Sequence, residues 1–224
     1  MVRSILERLW RGEPRVVSAP EGYARWAPLY PPCAHNPLME AEALSLGRLL
    51  SGLASKRALD VGTGTGRNVE LLRAMATPYV VGIDLSPAML AFGDKTCPRV
   101  CGDAHWLPFR PESFDLVCSS LMCGDIADLG AWIHEAARVV KPGGHVVYSD
   151  FHPSWSASGW RRTFTGADGR TYQLPLFAHA IEQHLELLEQ NGLEVRAVRE
   201  PAIAGDTRPV VVVLHAIKWP RGHS

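Results

Sequence analysis

The 224-residue sequence has no surplus of charge of either sign: Lys and Arg total 23, Asp and Glu total 23, and the pI is near 7.1. A chain without excess positive charge lacks the usual electrostatic signature of a nucleic-acid-binding protein, so we expect no nucleic-acid partner. No apolar run reaches the roughly 18 residues that a membrane span requires, and the opening segment 1–12 is too charged for a secretory signal. We therefore expect a soluble, cytoplasmic protein.

Cysteine pairs at metal-ligand spacing are also missing. The five cysteines are Cys33, Cys97, Cys101, Cys118 and Cys123. Because their number is odd and no C-x-x-C pair occurs, the sequence argues against both a disulfide framework and a structural zinc site. We predict no bound metal, and Cys118 lies in an apolar run that is typical of a buried thiol.

What the chain does have is a regular alternation of strand-like and helical segments. Its length suits one α/β domain with a full core. The pattern predicts strands near 58–61, 79–84, 100, 114–120, 145–150, 195–200 and 210–218, with helices at about 67–76, from 86, at 129–140 and at 179–191. The KPGG segment 141–144 is expected to stop the third of these helices. The link between the last two strands is too short for a crossover helix, so that pair should be antiparallel. The fold class is thus α/β, with a seven-stranded sheet, helices on both faces and an antiparallel last strand.

Two segments fall outside this alternation. Residues 1–37 are predicted to form an N-terminal arm or lid of short pieces, because the prolines between 14 and 37 are too frequent for one helix. Residues 38–224 form the main domain, which starts with an amphipathic helix from Pro37. Within it, 153–178 should be a substrate-covering insertion rich in aromatic residues, with a hairpin around the ADG turn at 167–169.

The LDVGTGTG stretch at 59–66 follows the first strand of the main domain. Its glycines, Gly62, Gly64 and Gly66, permit positive φ and let a ligand approach the main chain. The dinucleotide fingerprint G-x-G-x-x-G has a different third spacing. Asp84 ends the next strand about twenty residues on, where a carboxylate can accept from both ribose hydroxyls. These residues alone allow either an NAD enzyme or an adenosine-binding one.

Five segments in order, together with the antiparallel tail, resemble the class I S-adenosylmethionine-dependent methyltransferases. They are LDVGTGTG (59–66), VVGIDLSPAML (80–90), GDAHWLPF (102–109), SFDLVCSS (113–120) and the KPGG turn (141–144). The resemblance covers about 40–200 and implies a Rossmann-like sheet, S-adenosylmethionine as cofactor and S-adenosylhomocysteine as product. The arm and tail are similar, less specifically, to small-molecule methyltransferases of biotin and quinone biosynthesis.

The resemblance also implies roles for single residues. The peptide groups of Gly62 and Gly64 would face the methionine part of the cofactor. Asp60 would hydrogen-bond the ammonium group of that part directly or through water, and Asp84 would accept from the ribose hydroxyls. The implied cofactor-binding residues are Asp60, Gly62, Thr63, Gly64, Gly66, Asp84, Leu85, Met89, Asp103, Ala104, Ser119 and Leu121; Tyr23, in the arm, is a further candidate for contact with cofactor or substrate. Among these, Asp103 would accept from the adenine amino group, and Ser119 and Leu121 would face the reacting end.

Catalytic candidates must lie at the carboxyl ends of strands or on covering segments. His152 directly follows the fifth predicted strand and is the first candidate for a base, since histidine takes a proton near neutral pH. His35, His179 and Tyr30 lie on segments that should fold over the crevice. Methyl transfer from a sulfonium requires mainly alignment and exclusion of water, so a base is not obligatory.

We therefore predict methyl transfer to an O, C or N nucleophile of a small-molecule acceptor, with the oligomeric state left open. A dehydrogenase is disfavoured by Arg67 after the third glycine and by the tail strands. A thiol-using arsenic methyltransferase would need cysteines converging on the crevice, where only Cys33 and Cys123 are placed to contribute. The alternative of another class is a catalytically silent protein that binds the cofactor or its product and acts through a protein partner.

Overall fold

The computed structural model describes residues 13–75, 77–93 and 95–220. Strands in this part of the chain are β1 (Arg15–Val16), β2 (Arg57–Val61), β3 (Tyr79–Asp84), β4 (Arg99–Cys101), β5 (Phe114–Ser119), β6 (Val140–Phe151), β7 (Thr163–Thr165), β8 (Thr171–Gln173), β9 (Leu193–Arg199) and β10 (Val211–Lys218). The α-helices are α1 (Ala19–Trp26), α2 (Pro37–Leu50), α3 (Arg67–Ala74), α4 (Pro87–Phe92), α5 (Leu129–Val139), α6 (Pro153–Ala157) and α7 (Ile181–Gln190). Short 3₁₀ turns occupy Ala27–Leu29 and Cys123–Asp125. None of the described helices is long and apolar enough to cross a membrane.

The central sheet has seven strands in the order β4-β3-β2-β5-β6-β10-β9. Strands β2 to β6 are parallel to one another, whereas β10 is antiparallel to both β6 and β9. The predicted α/β class, the seven strands and the antiparallel tail are therefore confirmed. The order places the carboxyl ends of β2, β3, β4 and β5 side by side at one edge, where open α/β sheets bind ligands.

Helices start where capping side chains satisfy free backbone N–H groups. The Oδ1 of Asn36 accepts from Met39 N–H at 2.9 Å before α2, and Ser86 Oγ accepts from Met89 N–H at 3.3 Å before α4. Proline occupies a first-turn position in both helices, where its missing N–H is not needed. These local signals explain why both starts could be predicted from sequence.

Apolar side chains cover both faces of the sheet. On one face, Trp132 and Ile133 of α5 are buried with Val146 of β6 in one cluster. On the other face, Leu46 of α2 and Leu72 of α3 are buried in a second cluster. Burial of this kind stabilises a fold by about 25 cal/mol per Å² of apolar surface removed from water, and it fixes the sheet edge that carries the site.

The KPGG segment differs from the prediction. The helix ends at Val139, but strand β6 already begins at Val140, so 141–144 lie within a strand and not in a turn before it. The pairing shifts there: Phe114 lies opposite Val140, whereas Leu116 lies opposite His145. The extra residues form a bulge, which Gly143 accommodates with a left-handed φ of 75°.

A second, three-stranded sheet has the order β1-β8-β7. The predicted hairpin is present, since β7 and β8 are antiparallel on either side of the ADG turn. Strand β1 belongs to the arm and pairs in parallel with β8, a long-range contact that the sequence pattern did not predict. The ring of Trp26 in the arm stacks on Phe164 of the insertion, with ring centroids 4.7 Å apart.

The arm consists of short pieces between residues 13 and 37, and its residues 1–12 lie outside the described part of the chain. The division of the chain at residue 37 stays a prediction.

Candidate functional site

A cavity of about 470 Å³ lies at the carboxyl ends of the parallel strands, beneath the arm and the insertion. Its wall combines three sources: the segments that follow β2, β3, β4 and β5, the arm between Ala19 and Met39, and the segment 151–163. One continuous space thus joins the glycine loop, which we define as residues 62–66, to the covering segments.

The glycine loop has the conformation that its sequence predicts. Gly62 has a φ of 69° and Gly64 a φ of 55°, in the left-handed region that favours glycine. Both residues line the cavity together with Thr63. Gly66 does not lie on the wall; it adopts a φ of 95° and serves as the N-cap of α3. The structure thus gives Gly66 a role at the start of that helix, and its contact with the cofactor stays a prediction.

Asp84 organises the loop from the neighbouring strand. Its Oδ2 accepts from the Gly64 N–H at 2.7 Å, and its Oδ1 accepts from the Ser86 N–H at 2.8 Å. Each carboxylate oxygen has a second lone pair, so Asp84 can still accept from ligand hydroxyls at the cavity wall. Burial raises the pKa of Asp84 above its ordinary value.

The next residues along the chain form a wall beside Asp84. Met89 is buried and Leu85 is half exposed, and both line the cavity. Asp103 and Ala104 line it as well, and Asp103 Oδ1 accepts from the His105 backbone N–H at 2.9 Å. Two apolar side chains and a carboxylate are suited to the face and the edge of a purine ring.

Asp60 and Ser119 are not on the cavity wall, so of the contacts predicted for Asp60 the geometry favours the one through water. Asp60 is fully buried behind the wall, where Asn68 Nδ2 donates to its Oδ1 at 3.2 Å. Its Oδ2 is buried and finds no hydrogen-bond partner among the described residues, and burial raises the pKa of Asp60 to about 6. Ser119 Oγ donates to the Val61 carbonyl at 2.8 Å. Side chains alternate along a strand, so Ser120 reaches the cavity where Ser119 does not.

The three candidate histidines are also outside the cavity. The ring of His152 lies between Ser154 Oγ, at 2.7 Å from Nδ1, and Glu200 Oε2, at 3.0 Å from Nε2. His179 Nε2 lies 3.2 and 3.0 Å from the carbonyl oxygens of Cys123 and Ile126.

His35 is exposed, and its Nδ1 lies 3.2 Å from the Cys33 carbonyl. None of the three histidines lines the cavity, so their catalytic roles stay predictions that the position of the rings does not favour. Of the four catalytic candidates, Tyr30 alone lines it.

Leu121 lines the cavity in a left-handed conformation with a φ of 56°, which is uncommon for a residue other than glycine. Its N–H donates to both the Oγ and the carbonyl oxygen of Ser149, at 3.0 and 3.2 Å. These bonds hold the turn after β5 against the cavity.

Tyr23 belongs to a charge cluster that the sequence did not reveal. Its hydroxyl donates to Asp125 Oδ2 at 2.7 Å, and Arg162 Nη1 lies 2.5 Å from Asp125 Oδ1. Arg162 also contacts the Tyr23 hydroxyl. The three residues come from the arm, the turn after β5 and the insertion, so no local motif signals their meeting. Burial is the main reason why the pKa of Tyr23 lies well above its ordinary value.

A second buried pair was also missed. Arg67 lines the cavity, and its Nη1 lies 2.9 Å from Oε2 of the fully buried Glu42. The signal was available for Arg67, since a side chain that directly follows the glycine loop starts next to any ligand bound there.

Comparisons with known proteins agree with this geometry. Residues 59–148 match the family model described as "Methyltransferase domain". Demethylmenaquinone methyltransferase of Streptomyces avermitilis is 39% identical over 106 residues, which are 46% of each chain. Malonyl-[acyl-carrier protein] O-methyltransferase of Halorhodospira halophila is 38% identical over 105 residues, 44% of this chain and 36% of that protein.

Among solved structures, an S-adenosylmethionine-dependent methyltransferase from Mesorhizobium loti superposes with a TM-score of 0.65 at 25% identity. That alignment covers 80% of this chain and 98% of the other. The chain spans about half the length of the curated relatives it matches.

The residues present fit S-adenosylmethionine. A β-carbon on Gly62 would lie only 2.6 Å from Met122 Cγ, so this position has no room for a larger residue, and Gly62 lines the cavity. Behind the wall, the buried Asp60 carboxylate places a negative charge near the glycine loop, which suits a ligand that carries a cationic group. With its glycine loop, its strand-end carboxylate and its sheet order, the chain carries over residues 59–148 a methyltransferase domain similar to those of the class I S-adenosylmethionine-dependent methyltransferases.

Proposed function

We propose that the protein transfers a methyl group from S-adenosylmethionine to a small-molecule acceptor by in-line substitution. The observation that carries this proposal is one continuous cavity, bounded by the glycine loop and Asp84 on one side and by the arm and the insertion on the other. When bound, S-adenosylmethionine supplies a methyl group on a sulfonium, which is an excellent leaving group. The protein's own contribution is then to bind, to align and to exclude water.

The sheet edge provides the residues that would hold the donor. Gly62 and Gly64 present peptide groups, Asp84 can accept from the ribose hydroxyls, and Asp103 can accept from an adenine amino group. Leu85, Met89 and Ala104 would contact the purine. Asp60 lies too deep for direct contact, so its negative charge would act on the donor's ammonium through Asn68 or through water.

The covering segments favour an apolar or aromatic acceptor. Six aromatic residues line the cavity: Tyr23, Trp26, Tyr30, Phe151, Trp155 and Trp160. The positive charge of Arg162 is balanced by Asp125, so this cation is not free to bind an acidic group of the acceptor. The matched relatives are named for demethylmenaquinone and for a carrier-bound malonyl group, which supports an acceptor other than nucleic acid.

The cavity wall offers no histidine base among the described residues. Tyr30 reaches the wall, but burial raises the pKa of its hydroxyl, so it is a hydrogen-bond donor at neutral pH. Its role in this proposal is to orient the acceptor. An acceptor atom that is already ionised, or that carries an available lone pair, needs nothing more than alignment and exclusion of water.

Calorimetry with S-adenosylhomocysteine, followed by tritium transfer from labelled S-adenosylmethionine to a metabolite extract, tests the proposal. Asp84→Ala should weaken binding at least about tenfold, since each hydrogen bond to a charged group contributes about 1.5–3 kcal/mol. The matched control is Asp206→Ala, in the exposed loop before β10, which should bind as the wild type does. An unchanged affinity in Asp84→Ala would remove the adenosine assignment.

Tight binding without transfer to any compound would favour the alternative, a catalytically silent protein that acts through a partner. Two arginines on the cavity wall, Arg67 and Arg162, are paired with Glu42 and Asp125, and no histidine base lines the wall among the described residues. This observation supports the alternative as the second candidate.

A further inference from the structure

Three arginines line the cavity: Arg67, Arg161 and Arg162. Two of them are paired with a carboxylate. Arg67 Nη1 lies 2.9 Å from Glu42 Oε2, and Arg162 Nη1 lies 2.5 Å from Asp125 Oδ1. The charges of Arg67 and Arg162 are therefore balanced within the protein, which leaves Arg161 as the unbalanced cation on the described part of the cavity wall.

The pairing of Arg67 belongs to a buried network. Glu42 is fully buried and accepts from Ser149 Oγ at 2.7 Å and from Ser120 Oγ. Arg67 Nη2 also donates to Ser120 Oγ at 2.6 Å. Because a buried charge without its partner is strongly unfavourable, the Arg67–Glu42 pair should stay together when a ligand enters the cavity.

Arg161 has neither an ion pair nor a side-chain hydrogen bond with any of the described residues. The residue is exposed and yet lines the cavity, so it lies where the cavity opens to solvent. Its guanidinium presents five N–H donors in a planar fork, which matches two oxygens of a carboxylate or a phosphate. All of these donors are available to a ligand that reaches the opening.

The wall next to Arg161 is aromatic. The Trp160 ring lies 5.5 Å from the Phe151 ring and 5.6 Å from the Trp155 ring, measured between centroids, and all three residues line the cavity. Trp155 Nε1 already donates to the Pro209 carbonyl at 2.8 Å. A molecule that contacts this wall and Arg161 together therefore needs an apolar or aromatic body and a negative charge at its end.

The opposite side of the cavity carries negative charge. Asp84 and Asp103 lie on the wall at the sheet edge, and neither is paired with an arginine or a lysine in the described chain. Like charges placed close together are unfavourable, so an acid group is disfavoured at the sheet edge and favoured beside Arg161. The charges of the wall would thus orient an acidic acceptor with its acid group at the opening.

We propose that the methyl acceptor carries an acid group, a carboxylate or a phosphate, at the end remote from the atom that receives the methyl group, and that Arg161 binds this acid group. The inference rests on the proposed function, since it concerns the acceptor of the same cavity. Arg161 is then a specificity-determining residue. The acid group does not react, so its contact with Arg161 stabilises the ground state and the transition state equally.

The first test uses the charge of the labelled product. Tritium is transferred from labelled S-adenosylmethionine to a metabolite extract, and the products are passed over an anion exchanger at neutral pH, with the extract alone as background. The labelled product should be retained and should elute with salt, because its acid group is not the methylated group. Alkaline phosphatase should abolish the retention of a phosphate monoester and should leave that of a carboxylate unchanged.

A labelled product that passes through the exchanger would overturn this inference and leave the proposed function in place. The absence of any labelled product, from a protein that binds S-adenosylhomocysteine in calorimetry, would instead overturn the proposed function and this inference with it.

The second test measures kinetics with the acceptor isolated from the retained fraction. Arg161→Gln should raise KM for the acceptor about threefold to tenfold, as expected for a charged contact at the opening of a cavity. It should leave kcat within about twofold, because uniform binding is what is lost. Arg170→Gln is the matched control: it removes a cation from the same insertion but not from the cavity wall, so KM should not change.

Arg161→Lys keeps the charge and loses the planar fork, so its KM should lie between those of the wild type and Arg161→Gln. Salt should raise the KM of the wild type and have little effect on that of Arg161→Gln. Both substitutions are at an exposed position, and thermal unfolding checks that the variants are folded. An unchanged KM in folded Arg161→Gln, an equal rise in Arg170→Gln, or a KM for Arg161→Lys as high as that for Arg161→Gln would overturn the assignment.

Discussion

Met122 occupies the space that a β-carbon on Gly62 would need. Built on the Gly62 backbone, that carbon would lie 2.6 Å from Met122 Cγ and 2.8 Å from Met122 Cβ. The two residues come from the turns after β2 and β5, which are neighbouring strands. Their contact joins the glycine loop to the turn that carries Leu121, and both segments line the cavity.

Gly62→Ala should therefore disturb the site more than Gly64→Ala. Both substitutions place alanine at a positive φ, which costs about 1–2 kcal/mol. At Gly62 the new carbon also meets the inner atoms of Met122, whereas at Gly64 it lies 3.2 Å from Cε, the flexible end of Met89. Thermal unfolding and calorimetry with S-adenosylhomocysteine would measure the difference, and equal losses in both variants would contradict the packing described here.

Asp60 predicts a pH dependence of stability. Burial raises its pKa from 3.8 to about 6 in the folded protein. Between these two values the unfolded chain has released this proton while the folded chain retains it, so the free energy of unfolding falls as the pH rises through that window. The full effect at neutral pH is of the order of 2–3 kcal/mol.

Asp60→Asn should consequently be more stable than the wild type at pH 7, with a flatter profile between about pH 4 and 6. Urea unfolding of the protein without ligand at several pH values measures both. The same substitution removes the buried anion, so it should weaken S-adenosylhomocysteine binding while it stabilises the free protein. A variant that is less stable than the wild type at pH 7 would show that the Asp60 carboxylate is satisfied in the folded state.

Much of the fold could be predicted because its signals are local. Strand β3 follows from a short apolar run, and α2 and α4 follow from capping residues and first-turn prolines. The bulge at 141–144 could not be predicted in this way, because KPGG is a turn signal and the strand continues through it only by pairing with β5. Parallel pairing of β1 with β8 joins residues far apart in sequence and has no local pattern.

The residues of the site also fall into those that local sequence signals place and those that only the packed fold brings together. Gly62, Gly64 and Asp84 lie on the cavity wall as expected, since each is placed by a strand end and its following turn. Ser119 was expected at the cavity, but Ser120 lines it instead. Neighbouring side chains on a strand point in opposite directions, so an error of one residue changes which side chain reaches the site. The partners of Glu42 come from separate parts of the chain, so they could be identified only once the strands were packed.

The Tyr23–Asp125–Arg162 cluster predicts how the arm is held. Arg162→Met would leave Asp125 without its cation and would remove the contact to Tyr23, so the arm should be cut faster by a protease between residues 14 and 36. Arg170→Met, on the exposed hairpin turn, is the matched control and should be cut as slowly as the wild type. Digestion followed by mass spectrometry identifies the cleaved bonds.

A bound ligand should protect the arm from proteolytic cleavage. In the wild type, saturating S-adenosylhomocysteine should slow cleavage of 14–36, because covering segments gain order from the ligand they enclose. Equal digestion rates with and without ligand, and in Arg162→Met, would mean that the arm is held by its aromatic contacts alone, such as Trp26 on Phe164.

His152 provides the sharpest test of how the acceptor is activated. Its two ring nitrogens lie 2.7 Å from Ser154 Oγ and 3.0 Å from Glu200 Oε2, outside the cavity. His152→Ala should therefore leave kcat and S-adenosylhomocysteine affinity within about threefold of the wild type, since a residue outside the site makes no contact that changes in the transition state. Because Glu200 is exposed, the variant should lose only about 1 kcal/mol of stability.

Tyr30→Phe is the informative comparison: it removes a hydroxyl from the cavity wall and should lower kcat/KM for the acceptor that the tritium assay identifies, with little change in the free energy of unfolding. A general base contributes about 10²–10⁴ in rate, so a fall of a hundredfold or more in kcat for His152→Ala at unchanged ligand affinity would restore the histidine as the base. Near-normal turnover would instead mean that the acceptor needs no base from this residue, and would favour alignment as the main contribution of the protein.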